Sequence, residues 1–146
     1  MQKVVIDSDI IIDHFRRGSD VFDRLVRESV VGKTKVYLPG IVYTEINSGQ
    51  DSRDSRELNK IEELPAIFEF IVADQGISQK AGFLVRDYPN LGIADAMVAA
   101  TALELDARLA TRNRKDFQSI KNLKFFIWRG GGVFFFPNPA AVPAAS

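Results

Sequence analysis

The stretch Val4-Val5-Ile6-Asp7-Ser8-Asp9-Ile10-Ile11-Ile12-Asp13-His14-Phe15 decides how the rest of the chain is read. Its first three residues are β-branched and apolar, the composition of a strand buried on both faces, and they run directly into a carboxylate at Asp7. In open α/β sheets ligands bind beyond the carboxyl ends of the strands, so Asp7 stands where such a sheet meets its ligand. Ser8 and Asp9 are residue types that cap helices, and Ile10, Ile11, Ile12 and Phe15 give the following helix an apolar side before Arg16, Arg17 and Gly18 end it. The unit reads as strand, tight turn, short helix.

Further elements follow the same alternation. Val21, Phe22, Leu25, Val26 and Val30 recur at helical spacing over 20–29, with Asp23, Arg24, Arg27 and Glu28 on the polar face and Gly32 beyond the end. A strand is expected over 35–38, then a helix from Ile41 to Ile46 with Glu45 in its early turns. The charged stretch from Asp51 to Leu64 reads as a solvated helix closed by Pro65, followed by a strand over 67–72 and a helix over 78–88. The alanine-rich run from Ile93 to Leu105 is the most regular helix, with Asp95 in its first turn; short strands over 108–111 and 124–128 flank a polar loop from Arg112 to Asp116. Strands alternating with helices predict a three-layer α/β domain with a mainly parallel central sheet flanked by helices, spanning residues 1–128. The tail, 129–146, differs in kind: three glycines, Phe134 to Phe136, then proline, alanine and asparagine. Three adjacent phenylalanines are expected to dock on this domain or on a partner.

Composition narrows the chemistry. The 146 residues carry 19 basic and 19 acidic side chains, so there is no overall charge to draw phosphates, and nucleic-acid affinity must come from local patches or metal ions. Without cysteine there is no disulfide, thiolate zinc site or cysteine nucleophile, and one histidine cannot build a multi-histidine metal site. No amino-terminal leader pattern or membrane-length apolar run occurs, which points to a soluble cytoplasmic protein.

Four places deliver acids or their loops to one sheet edge: Asp7, Glu45, Asp95 and the loop holding Asn113 and Asp116. Carboxylates gathered in this way repel one another, and a hard divalent cation with oxygen ligands is the usual compensation. Magnesium fits best, manganese also. Two such ions roughly 3.5–4 Å apart activate water and stabilise the leaving oxygen of a phosphodiester without histidine or cysteine. Each acid has a plain structural reading as well: Asp7 suits a turn cap, and Asp95 in a first helical turn is favoured by the helix dipole whatever its function. Asp9 reads as a cap or supporting residue, Asp13 as an exposed or supporting one, and His14 as a packing residue.

Four motifs in this order resemble a known family. Val5-Ile6-Asp7-Ser8, Thr44-Glu45-Ile46, Ile93-Ala94-Asp95-Ala96 with its alanine-rich continuation, and Thr111-Arg112-Asn113-Arg114-Lys115-Asp116-Phe117 are similar to the PIN-domain ribonucleases, specifically VapC-type toxins of toxin–antitoxin pairs. The resemblance spans residues 2 to 127. It implies a magnesium-dependent RNA endonuclease, commonly a homodimer, inhibited by a VapB-type antitoxin whose carboxy-terminal segment covers the acidic pocket. It carries the metal-site role to Asp7, Glu45 and Asp95, with the fourth position open between Asn113 and Asp116. Ser8 would orient the first acid or the attacking water, and Arg112, Arg114 and Lys115 are candidate RNA contacts.

Two other functions share parts of this pattern. A strand followed by Asp7-Ser8-Asp9 is also how haloacid-dehalogenase-like phosphatases begin, with Asp7 as nucleophile and Asp9 as general acid. A non-catalytic domain that only binds RNA or protein would keep the fold, and Asn113 in place of an acid is compatible with it.

Overall fold

Strand β1 (Gln2–Ile6) lies at the centre of a five-stranded sheet in the computed structural model of the protein, which describes residues 1–129. On one side it pairs with β2 (Thr34–Pro39) and on the other with β4 (Arg108–Ala110), so that Val5 is in register with Tyr37 and with Leu109. Beyond these, β3 (Glu69–Ile71) pairs with β2 and β5 (Lys124–Phe125) with β4; every pairing is parallel. Val4, Val5 and Ile6 are wholly buried, as a central parallel strand covered on both faces requires.

Parallel strands need crossovers, and helices supply them. Helices α1 (Ser8–Arg17) and α2 (Asp20–Val30) join β1 to β2, α3 (Gly40–Asn47) and α4 (Ser55–Ile67) join β2 to β3, and α5 (Gln75–Asp87) and α6 (Ile93–Leu105) lead to β4. The chain works outward through β2 and β3, then returns to the opposite side of β1. That reversal places the topological switch point at the carboxyl end of β1, immediately before Asp7. The architecture is the helix-flanked parallel sheet expected from the sequence.

Helix α6 explains how the return is packed. Ala96, Val98, Ala99, Ala100, Thr101 and Ala102 are all buried, and small side chains let the helix lie close to both the sheet and α5. It ends where Asp106 takes the left-handed conformation (φ 52°) and the Ala107 N–H reaches back to the Ala102 carbonyl at 2.8 Å, turning the chain into β4.

Several boundaries differ from the sequence reading, each for a local reason. The cap of α1 is Asp7 itself, accepting from the Ser8 N–H at 2.8 Å, while Ser8 and Asp9 already belong to the helix. The charged stretch divides into a 3-10 turn (Gln50–Arg53) and α4, which is capped by Asp54 and runs through Pro65 to Ile67. A proline one turn from the end forfeits a single backbone bond, and the Phe68 N–H still reaches the Leu64 carbonyl at 2.9 Å. Helix α5 begins at Gln75, three residues early, because Asp74 caps it through the Ile77 N–H. The strands expected over 67–72 and 124–128 shorten to three and two residues at the two edges of the sheet. Glu28, read as part of the polar face of α2, is buried against Thr34 and Arg24. Asp13 is likewise buried, held by Arg17 and Arg112. His14 packs as expected, stacked on Phe22 with ring centroids 3.9 Å apart. The expectation for the phenylalanines of the tail falls outside the described residues. Among the described residues no helix is long and apolar enough to cross a membrane.

Candidate active site

The site is built where strand ends become helix starts. Asp7 follows β1 and caps α1 and Asp95 lies in the first turn of α6, whereas Glu45, expected in the early turns of its helix, falls near the carboxyl end of the short α3, because that helix stops at Asn47. Helix amino termini carry partial positive charge, which favours an acid at Asp7 and at Asp95 but not at Glu45.

Asp7 is buried, with 6% of its surface exposed. One carboxylate oxygen accepts from the Ser8 N–H at 2.8 Å, the other from the Thr111 hydroxyl at 2.9 Å. Those bonds favour the charged form, but burial opposes it, and the neighbouring charges of Asp9 and Asp95 add to the opposition. The Asp7 carboxyl is thereby held up to about 7. Glu45, half-buried, is raised by burial and by Asp95, with the Ser8 hydroxyl tempering the shift. Asp95, also half-buried, is raised by burial and by Asp116. These five acids therefore act on one another across the edge. Among the described residues, none of Asp7, Glu45 and Asp95 has a salt bridge to a basic side chain.

Asn113 donates from its amide nitrogen to the Asp116 carboxylate, so the two candidates for the fourth position form one unit, with the acid as the charged member facing Asp95. Ser8 divides its function: its N–H serves Asp7 and its hydroxyl faces Glu45. The three basic residues of the loop separate. Arg112 places its guanidinium on Asp13 at 2.7 Å, and Arg114 lies over the Phe125 ring, 5.4 Å from the centroid, with burial lowering its pKa. Lys115 instead lines a cleft of about 430 Å³ together with Asp95, Asp116, Asn90 and Ser119.

Thr111 is the member of the site that sequence reasoning left as a strand residue. Its single hydroxyl lies 2.9 Å from Asp7 and 3.1 Å from Asp9, and it accepts from the Asn113 N–H at 3.1 Å. A polar residue closing an apolar strand before a polar loop was the available signal. Asp9 also accepts the Arg112 N–H at 3.1 Å. Tied to Thr111 and to backbone, Asp9 is poorly placed to serve as the general acid a phosphatase of the aspartyl-nucleophile kind requires.

The donor set is oxygen only, which suits hard divalent ions. Among the described residues no three acid or histidine side chains already form a tight metal cage; the carboxylates stand spread around the edge and raise one another's pKa. A cation between them would relieve that repulsion, so the residues present fit such an ion.

Comparisons with known proteins bear on the family and the fold. The family model described as the PIN domain matches residues 4–123. The Mycobacterium tuberculosis protein "Ribonuclease VapC10" is 30% identical over 125 residues, covering 83% of this chain and 90% of that protein. Among solved structures, VapBC2 from Rickettsia felis, bound to a promoter DNA fragment, superposes with a TM-score of 0.73 at 18% identity, over 88% of this chain and 100% of the other. VapBC-1 from nontypeable Haemophilus influenzae gives 0.68 at 23% identity over 86% and 97%.

Proposed function

The chain belongs to the PIN domain family, and from that premise we propose that it is a divalent-metal-dependent endoribonuclease of the VapC toxin type. The observation that carries the reading is the edge at the end of β1, where Asp7, Glu45, Asp95 and Asp116 share a field and, among the described residues, none of them has a salt bridge to a basic side chain.

In this reading Asp7, Glu45, Asp95 and Asp116 hold the ions, with magnesium the physiological choice and manganese a working substitute. Bound there, a divalent ion supplies an activated water and Lewis-acid stabilisation of the phosphodiester. Thr111 and the Ser8 N–H hold the Asp7 carboxylate in place and favour its charged form. Asn113 orients Asp116, and Lys115 meets an RNA phosphate in the cleft beside it. Cleavage leaves a 3′-hydroxyl and a 5′-phosphate. The protein works in the cytoplasm as a homodimer and is silenced by a VapB-type antitoxin encoded beside it.

The test is cleavage of RNA by purified protein with Mg²⁺ and with chelator, with the product ends mapped, for the wild type, Asp7→Asn and Asp95→Asn. Metal-dependent cutting that both substitutions abolish is expected. Unchanged cutting by both folded variants would remove the assigned site. Co-expression with the adjacent reading frame should yield a co-purifying small protein that suppresses cleavage; a chain that stays free and active would be a stand-alone nuclease.

A further inference from the structure

Three carboxylates of the β1–α1 unit grip one loop. Asp7 takes the Thr111 hydroxyl, Asp9 takes that hydroxyl and the Arg112 N–H, and Asp13, one helical turn further on, takes the Arg112 guanidinium at 2.7 Å. Asp9 and Asp13 stand at i and i+4 on α1, hence on the same face. The far end of the loop is anchored by the buried Phe117, whose N–H bonds the Arg114 carbonyl at 3.0 Å. Between the two anchors lie Asn113 and Asp116. Asp13 is buried, yet it already has a charge partner in Arg17 on its own helix. Neutralising Asp13 therefore does not require Arg112, and what the second arginine adds is a tie from α1 to the loop.

We propose that Asp13 is a positioning residue: through Arg112 it clamps the 111–116 loop and so fixes Asp116 against Asp95. The proposal rests on the metal-dependent reading of the acid edge given above. A buried carboxylate that holds a ligand-bearing loop acts on the metal without touching it, and such supporting contacts typically carry about 10- to 100-fold in metal affinity or activity. The side chain of Arg17 is 70% exposed, and among the described residues its hydrogen bond and ion pair go to Asp13 on its own helix, not to the loop, which makes it the internal control.

The test is Mn²⁺ binding to the full chain, followed by electron paramagnetic resonance without RNA, alongside steady-state RNA cleavage. Asp13→Asn and Arg112→Met are each expected to weaken Mn²⁺ binding about 10-fold or more and to lower kcat, with the RNA KM changed less than about threefold. Arg17→Met should bind Mn²⁺ as the wild type does. Equal losses in Arg17→Met and Asp13→Asn would make the cluster a plain stabilising ion pair and overturn the clamp. So would a raised RNA KM with unchanged Mn²⁺ affinity in Arg112→Met, which would give Arg112 to the RNA. Should Asp13→Asn fail to fold, Arg112→Met decides alone. Asp7→Asn separates the two levels: if it binds Mn²⁺ normally, the acid edge is not the metal site and the clamp falls with it, whereas wild-type binding by Asp13→Asn beside a dead Asp7→Asn removes the clamp only.

Discussion

Two buried acids sit at opposite ends of the same sheet. Glu28, near the start of β2, is 8% exposed and Asp7, at the end of β1, is 6% exposed, so exposed surface alone does not distinguish them. Glu28 accepts from Arg24 at 2.7 Å and from Thr34 at 2.6 Å, and these bonds lower its pKa below the usual carboxylate range. Asp7 also has two donors, but desolvation of its carboxyl outweighs them, the charges of Asp9 and Asp95 add to that, and it is pushed the other way. One end of the sheet completes its electrostatics within the protein. The other leaves them to be completed by something else.

The contrast breaks most visibly at Asp7. Asp7→Asn should reduce RNA cleavage at least about 100-fold, while raising the stability of the metal-free protein at pH 8 by about 1 kcal/mol, since a buried charge with like-charged neighbours is removed. Single-turnover cleavage and thermal unfolding of the same preparation read both effects. Loss of activity with gain of stability marks a residue kept for function.

Glu28→Gln should do the reverse. It deletes a charge-assisted bond and is expected to cost about 1–3 kcal/mol in denaturant unfolding, with cleavage within about twofold of the wild type.

The pH dependence separates the two ends by sign. Between 3.8 and about 7 the folded protein keeps on Asp7 a proton that the unfolded chain has released, so this acid makes metal-free stability fall as pH rises through that window. Glu28 titrates lower in the fold than in the unfolded chain, so its stabilisation is present above the ordinary carboxylate range and lost as pH falls. Denaturant midpoints from pH 4 to pH 8 should therefore decline less steeply in Asp7→Asn than in the wild type. Within the loop the two members of the pair should differ: Asn113→Ala should slow cleavage about three- to tenfold and Asp116→Ala more, because the amide orients the acid without carrying charge.

Much of this could be read from residue order. Val4 to Ile6 running into Asp7 identified the central strand and its acid, and the alanine-rich helix placed Asp95, because buried strands and close-packed helices leave strong local patterns. The cap of α1 could not be chosen from sequence, since Asp7, Ser8 and Asp9 are all capping types in succession. Thr111 was hidden for another reason: its bond to Asp7 joins residues 104 apart and exists only because β4 pairs with β1. Glu28 and Asp13 fit the polar faces of their helices, and only the packing of Thr34 and Arg112 against them shows that both are enclosed. Local chemistry located the acids; the partners that decide what each acid does are set by topology.

The most direct measurement is calorimetric titration of Mn²⁺ into the wild type and Asp7→Asn near pH 6.5, repeated in two buffers of different ionisation enthalpy to count released protons. An acid edge held uncompensated for a cation should bind Mn²⁺ and release a substantial fraction of a proton, and Asp7→Asn should lose both the affinity and most of that release. Binding with the same affinity and the same proton count in the two proteins would show that Asp7 is not where the metal acts.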